Sequence, residues 1–152
     1  MTLEEMNKRL QAVEDTEAIR RLHNEYLFYL NNGQWQEMAD CFTENATANI
    51  HELRQGKKEI LKFFTEVIAK LNAGKGRDAH FAVQPVITVD GDRAKGHCLI
   101  YIFIADPVTG NALKWIPGRY DCEYVKEDGN WKFSSLTYTS PWPAQPEPPP
   151  GH

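Results

Sequence analysis

Residues 98–104 read Cys98-Leu99-Ile100-Tyr101-Ile102-Phe103-Ile104, apolar at every position. A strand with one wet face alternates apolar and polar side chains, so a short uninterrupted run of this kind is a strand covered on both faces. Strand signals surround it, at about 80–89, 93–104, 112–126 and 131–140. Asp90-Gly91-Asp92 and Asp128-Gly129-Asn130 punctuate them, and Asp-Gly suits the positive φ of tight hairpins. The second half of the chain therefore predicts a meander of antiparallel strands. Helices can cover one face of the apolar strand; a second subunit is the natural cover for the other.

The first half is helical. Residues 3–31 predict a long helical region with a break near Asp15-Thr16, where an N-cap precedes Ile19, Leu22, Tyr26 and Leu30 on one face. Asn31-Asn32-Gly33 stops it, because Asn and Gly tolerate the left-handed conformation that ends helices. A short second helix follows, with Trp35, Met38, Cys41 and Phe42 as its buried side, and then a short strand at 46–51. A third helix opens at Gly56-Lys57-Lys58, its apolar positions at Ile60, Phe63, Phe64, Val67, Ile68 and Leu71. A glycine-containing loop is expected at 72–76. Helices first and sheet second predict an α+β domain over 1–140, with helices on one face of a curved sheet and a concave apolar pocket between them. Residues 141–152, holding six of the chain's nine prolines, predict an extended, disordered tail. Its Pro143-Ala144-Gln145-Pro146 fits PxxP, but a solvated tail is the simpler reading.

Composition narrows the function. The chain has 152 residues, 41% apolar and 25% charged, with a net charge of −4, which gives no electrostatic footprint for nucleic acid or an anionic membrane. No apolar stretch approaches the roughly 20 residues of a membrane span, and no signal-peptide pattern opens the chain. Three widely spaced cysteines, Cys41, Cys98 and Cys122, suit a reduced, cytoplasmic setting. His51-Glu52 does not continue into HExxH, Gly56-Lys57-Lys58 lacks the upstream glycine of a P-loop, and Gly74 and Gly76 make no dinucleotide fingerprint. No metal and no nucleotide cofactor is predicted. His97 and Cys98 are neighbours on a strand and point to opposite faces, which disfavours a thiol–imidazole pair.

His80 stands out instead. It enters the apolar run Phe81-Ala82-Val83, and an imidazole in such a setting is a candidate general base. Tyr26 lies on the apolar face of the first helix, as a core residue or as a hydrogen-bond donor to a ligand. Tyr120 alternates with Arg119 and Asp121 and points the other way from that pair. Trp115 lines the pocket near its open end or packs against the sheet.

Several strings carry a family resemblance. These are Glu17-Ala18-Ile19-Arg20-Arg21-Leu22 with Tyr26 four residues beyond, Trp35 after the helix stop, and His80 ahead of the strand at 85–90. Gly118-Arg119-Tyr120-Asp121, continuing to Asp128-Gly129-Asn130-Trp131-Lys132-Phe133, completes the set. Over about 10–140 the chain resembles the SnoaL-like branch of the nuclear transport factor 2-like superfamily, which implies a cone-shaped curved antiparallel sheet packed against three N-terminal helices around an apolar pocket. Members such as scytalone dehydratase, bile acid 7α-dehydratase and hexachlorocyclohexane dehydrochlorinase eliminate water or HCl without a cofactor. They pair a pocket histidine, as base, with an aspartate at the end of the first helix; in the dehydratases tyrosines polarise the substrate.

Carried over, the resemblance makes His80 the base and Tyr26 the helix tyrosine, and puts Asn31 where the family has aspartate. In a serine-protease triad an orienting Asp→Asn change costs about 10⁴ in rate. It also sets Tyr120, Cys98, Ile100, Ile102 and Ile104 facing the pocket, with Ile102 and Ile104 near positions that hold an aspartate and a histidine in relatives. His97, Leu99, Tyr101 and Phe103 would then face a partner subunit. The implied function is a cofactor-independent lyase or isomerase for a small apolar, polyketide- or steroid-like molecule, in a homo-oligomer, dimer or trimer. The alternative is a non-catalytic ligand-binding or assembly module, as in the small subunit of ring-hydroxylating dioxygenases.

Overall fold

The computed structural model describes residues 1–71, 78–106, 108–109 and 111–140. The loop expected at 72–76 and the proline-rich tail from 141 lie outside them. Helix α1 (Leu3–Asn32) is followed by α2 (Trp35–Asp40), strands β1 (Phe42–Ile50) and β2 (Glu52–Gln55), and α3 (Lys57–Phe63). α3 runs on through a π-helical turn (Phe64–Ile68) into a last α-turn (Ala69–Leu71). Then come β3 (Ala79–Asp90), β4 (Arg93–Ala105), β5 (Ala112–Glu127) and β6 (Asn130–Thr139).

The six strands form one sheet in the order β2-β1-β6-β5-β4-β3, antiparallel except where β1 lies parallel to β6. The meander β3 to β6 is thus as the turns predict. The parallel junction arises because the chain passes through the third helix and the whole meander before β6 returns beside β1. β2 has no counterpart in the sequence reading: Glu-Leu-Arg-Gln carries no strand signal and pairs only as an edge.

α1 is a single helix with no break at Asp15-Thr16. Its N-cap is Thr2, whose side chain accepts from the Glu5 N–H while Glu5 returns a bond to the Thr2 N–H, a capping box. Thr16 turns its hydroxyl back to the Ala12 carbonyl (2.7 Å), a bond made inside a helix. Asp15 has a different task. It is buried, and its carboxylate accepts from the Trp131 indole N–H (2.8 Å) and pairs with Lys126 Nζ (2.7 Å). Burial works to raise the Asp15 pKa, but the bonds from Lys126, Trp131 and Gln11 outweigh it and hold the carboxyl below its ordinary value. Asp15 thereby fastens the helix to the β5–β6 hairpin.

Beyond that fastening, Ile19, Leu22, Tyr26, Leu27 and Leu30 form the buried stripe of α1 against the inner face of the sheet. Tyr26 packs edge-on against Phe42 and Phe133 at centroid distances of 5.7 and 5.3 Å. His23 is buried in the same layer, with Nε2 in a short hydrogen bond to the Tyr124 hydroxyl. Its Nδ1 finds no partner among the described residues.

β3 changes parity at a bulge. The register runs Val83↔Leu99 and then Val86↔His97, so β3 carries one extra residue there, next to Pro85, which has no N–H to give the ladder. Before the bulge His80 and Ala82 point inward; after it Ile87 and Val89 do. The outer face keeps Phe81, Val83, Val86, Leu99, Phe103 and Trp115 exposed.

Asp15→Ala removes the charged hydrogen bonds that fasten α1. A loss of about 1.5–3 kcal/mol is expected in chemical denaturation, the range for bonds to charged groups. Wild-type stability in that variant would mean the fastening contributes nothing.

Candidate functional site

α1 ends where its capping glycine allows. Gly33 takes φ 67°, and its N–H closes on the Leu30 and Tyr29 carbonyls. Asn32 bonds the Phe28 carbonyl within the helix (2.7 Å). Asn31 is therefore free of the stop, and its side chain crosses to β3. Its Oδ1 accepts from the His80 backbone N–H (2.8 Å), and its Nδ2 donates to the His80 carbonyl (2.9 Å). These two bonds fix which way the amide faces, since a flipped amide would oppose donor to donor and acceptor to acceptor.

The imidazole inherits that orientation. Asn31 Oδ1 also lies 3.2 Å from His80 Nδ1. An amide oxygen can only accept, so Nδ1 carries the proton and Nε2 keeps the lone pair. Burial pulls the His80 pKa down to about 4, with the charge of Asp78 working in the opposite direction. The ring is neutral at ordinary pH, ready to accept a proton at Nε2 though weakly basic.

His80 lines a cavity of about 540 Å³. Tyr26 and Leu30 of α1 and Phe63, Phe64 and Ile68 of the third helix form one side. Ile102 and Ile104 of β4, Ile116 and Tyr120 of β5, Tyr138 of β6, and Asn49, Ile50 and His51 of the β1 end form the other. Asp78 and Ser140 complete the lining. A surface groove of about 660 Å³ between α1 and the β5–β6 turn is larger, but Glu14, Glu17, Arg21 and Glu25 line it.

The tyrosines form a ladder along the wall. Tyr26 faces Tyr120 edge-on (6.4 Å), and Tyr120 faces Tyr138 (6.2 Å). Burial pushes the phenols of Tyr26 and Tyr120 well above their ordinary range, so both stay protonated as donors. The Tyr26 hydroxyl, buried at the cavity, has no hydrogen-bond partner of good geometry among the described residues. Gly118 makes room for the ladder: a Cβ there would come within 2.3 Å of the Tyr138 ring.

The fold therefore brings together His80, Tyr26, Tyr120, Ile102 and Ile104, with Asn31 behind the imidazole. It does not bring Cys98, Ile100 or Trp115 to the cavity. Cys98 and Ile100 point inward but belong to the packed core, and the open space begins at Ile102, farther along β4. Trp115 is 57% exposed on the outer face, its ring 5.5 Å from that of Tyr101. The alternation that turns Tyr120 inward turns Ile116 inward too, so counting back from Tyr120 would have found it. Burial raises the thiols of Cys41 and Cys98, to about 12 and about 11, which leaves them inert as nucleophiles. His97 is exposed while Cys98 is buried, so the two do not pair.

Several polar residues of the cavity escaped the sequence reading, Asp78 and His51 among them. Asp78 sits two positions before His80, the spacing that shares a strand face, and its Oδ1 accepts from the Ala105 N–H (2.9 Å). His51 had looked like half of a broken zinc motif. Among the described residues no three His, Cys, Asp or Glu side chains gather as a metal site.

A family model described as a SnoaL-like domain matches residues 11–137. The chain belongs to the SnoaL-like family. Solved structures with the same nuclear transport factor 2-like architecture agree. A putative aromatic ring hydroxylase from Novosphingobium aromaticivorans is 25% identical with a TM-score of 0.73, covering 86% of this chain and 92% of its own. An NTF2-like protein with a cystatin-like fold from the same organism is 20% identical with a TM-score of 0.75, over 90% and 88%. A hexachlorocyclohexane dehydrochlorinase, LinA-type3 from Novosphingobium barchaimii, is 20% identical with a TM-score of 0.73, over 88% and 91%. No curated protein matches the chain by sequence. No helix among the described residues of this SnoaL-like chain is long and apolar enough to cross a membrane.

His23 and His80 make the native state acid-sensitive. Both are held near 4 by burial, against 6.5 for the free side chain, so between these values the unfolded chain binds protons that the native state refuses. Stability is unaffected by these groups above about 6.5, falls as pH drops from there, and stops falling on their account below about 4. Denaturation curves at pH 7 and 4.5 should show it, and His23→Gln should remove about 2 kcal/mol of the acid loss. An unchanged acid loss in that variant would refute the assignment to His23.

Proposed function

We propose that this protein is a cofactor-independent lyase or isomerase for a small, largely apolar molecule of polyketide- or steroid-like character, with His80 Nε2 as general base. The observation that carries the reading is the locked Asn31 amide. It holds His80 in one tautomer and leaves a lone pair available beside an apolar cavity of about 540 Å³. In this mechanism Nε2 removes a proton next to a carbonyl. The negative charge moves onto the carbonyl oxygen, where the phenols of Tyr26 and Tyr120 donate hydrogen bonds in a site of low dielectric. Nδ1–H stays on the Asn31 oxygen as the ring becomes imidazolium. The Tyr26 hydroxyl supports this role: it lies beside the Tyr120 phenol without a hydrogen bond of good geometry, and a bound oxygen would give it one.

Asp78 supplies part of what a carboxylate at position 31 would. Its charge raises the proton affinity of His80, although Asn31 rather than Asp78 orients the ring. The exposed apolar outer face, including Phe81, Leu99, Phe103 and Trp115, supports assembly of two or three copies through the sheet. Three free cysteines suit a reducing, cytoplasmic compartment.

A second reading is favoured by the uncharged side chains at Asn31 and Ile102, where the family resemblance places acids. Under it the domain binds or assembles without chemistry of its own. Native mass spectrometry separates the two: a stable complex with a larger, different subunit supports assembly, and a homo-oligomer supports the enzyme.

His80→Ala is expected to abolish turnover, while circular dichroism and melting stay near those of the parent. Retained turnover would refute the base. Asn31→Asp adds a negative charge at Nδ1, so the rate should hold or rise. The same change deprives the His80 carbonyl of its donor, and the melting experiment should register a loss of about 1 kcal/mol. A rate collapse in Asn31→Asp with the fold intact would mean that charge at Nδ1 is not what limits His80.

A further inference from the structure

The sheet order sets β1 and β3 four places apart, with β6, β5 and β4 between them. The curved sheet nevertheless brings His51, at the end of β1, and His80, at the start of β3, into the lining of one cavity. Tyr138, Tyr120 and Ile102 lie on the strands between, so the two histidines line the cavity from opposite flanks.

Their surroundings differ. His80 is part-buried, held by Asn31, and kept neutral. His51 is exposed to water. It is the single residue joining β1 to β2, between the paired Ile50 and Glu52, and it takes φ 66°. Only His51 and Asp128 among the described non-glycine residues have positive φ, and Asp128 lies in a hairpin turn away from the cavity. A corner of this kind falls to glycine or to the few side chains that tolerate positive φ, asparagine, aspartate and histidine, and here it carries an imidazole to the edge of the cavity. The ring meets Tyr138 edge-on at 5.8 Å, which joins His51 to the tyrosine ladder.

We propose that His51 is a second catalytic residue, the general acid that protonates the departing oxygen of a hydroxyl-bearing substrate. The inference rests on His80 being the base, and it selects dehydration over loss of halide. Halide leaves without a proton; hydroxide needs one. In the proposed step His80 Nε2 takes the proton from the carbon beside the carbonyl. The C–H electron pair forms the C=C bond through the enolate, and the C–O bond breaks with its pair going to oxygen. That oxygen takes a proton from the His51 ring and leaves as water. His80 then holds one proton more and His51 one fewer, and exchange with solvent restores both. The dry base keeps its lone pair, while the wet acid can be recharged.

The test compares two probes that lose the same hydrogen and give the same enone, 3-hydroxycyclohexanone and its acetate ester, whose carboxylate leaves without a proton. His51→Asn suits the corner, because asparagine tolerates positive φ. It should lower kcat/KM for the hydroxy ketone by about 10² or more, within the range for general acid catalysis, and leave the ester within about threefold. Equal losses on both probes, or no loss on the hydroxy ketone, overturn His51 as the acid. His80→Ala serves as the separate control: loss of both reactions there upholds the base whatever His51 does. Retention of both in His80→Ala, or no turnover of either ketone by the unaltered protein, overturns the base and the acid together.

Discussion

One side-chain amide ties the working parts of this molecule together. Asn31 belongs to the last turn of α1, and its two bonds reach the main chain of the second residue of β3. The helix is seated on the sheet by the Asp15 fastening at one end and by this clasp at the other, with the apolar stripe from Ile19 to Leu30 between them. Because the clasp engages backbone atoms, it fixes position; because its Oδ1 also faces Nδ1, it fixes the tautomer. Structural and chemical roles fall on the same atoms. An aspartate in this place could accept from the His80 N–H and the ring but could not donate to the carbonyl, so asparagine gives up charge and gains a grip.

That exchange shapes the electrostatics of the cavity. With a neutral amide behind it and burial around it, His80 is a weak base. Under the proposed mechanism, removal of a proton from carbon then depends on stabilising the product of that removal. The wall supplies phenols that burial keeps protonated, and aliphatic side chains at Ile102, Ile104 and Ile116 exclude water that would otherwise dampen their fields. Asp78 adds a negative charge from the strand rather than the helix.

Most of the sheet was legible because its signals are local. Asp-Gly turns at 90–92 and 128–130 mark the hairpins, and the apolar run at 98–104 marks a strand covered on its inner side. The features that escaped depend on partners far away in the chain. Asp15 has the look of a helix cap until Trp131 and Lys126 arrive from the last hairpin. No pattern within β4 reveals where the packed core gives way to open space; hence Cys98 and Ile100 are core while Ile102 is lining. Ile116 in place of Trp115 was within reach, by carrying the alternation back from Tyr120. His51 and Asp78 carried signals too, but only a fold that curves its outer strands toward each other makes them neighbours of one cavity.

The parallel contact of β1 with β6 has a kinetic meaning. Its pairs, such as Phe42 with Phe133, join residues roughly ninety positions apart, with every other strand but β1 itself lying between them in the chain. Contacts of such long range are slow to form, since a large loop must close before they repay its entropy. During synthesis β1 emerges early and waits with an unpaired edge until the final strand leaves the ribosome. The cavity wall that carries His51 is therefore among the last parts to be assembled, and the nascent chain is most exposed to mispairing along β1, on the flank that later closes the site.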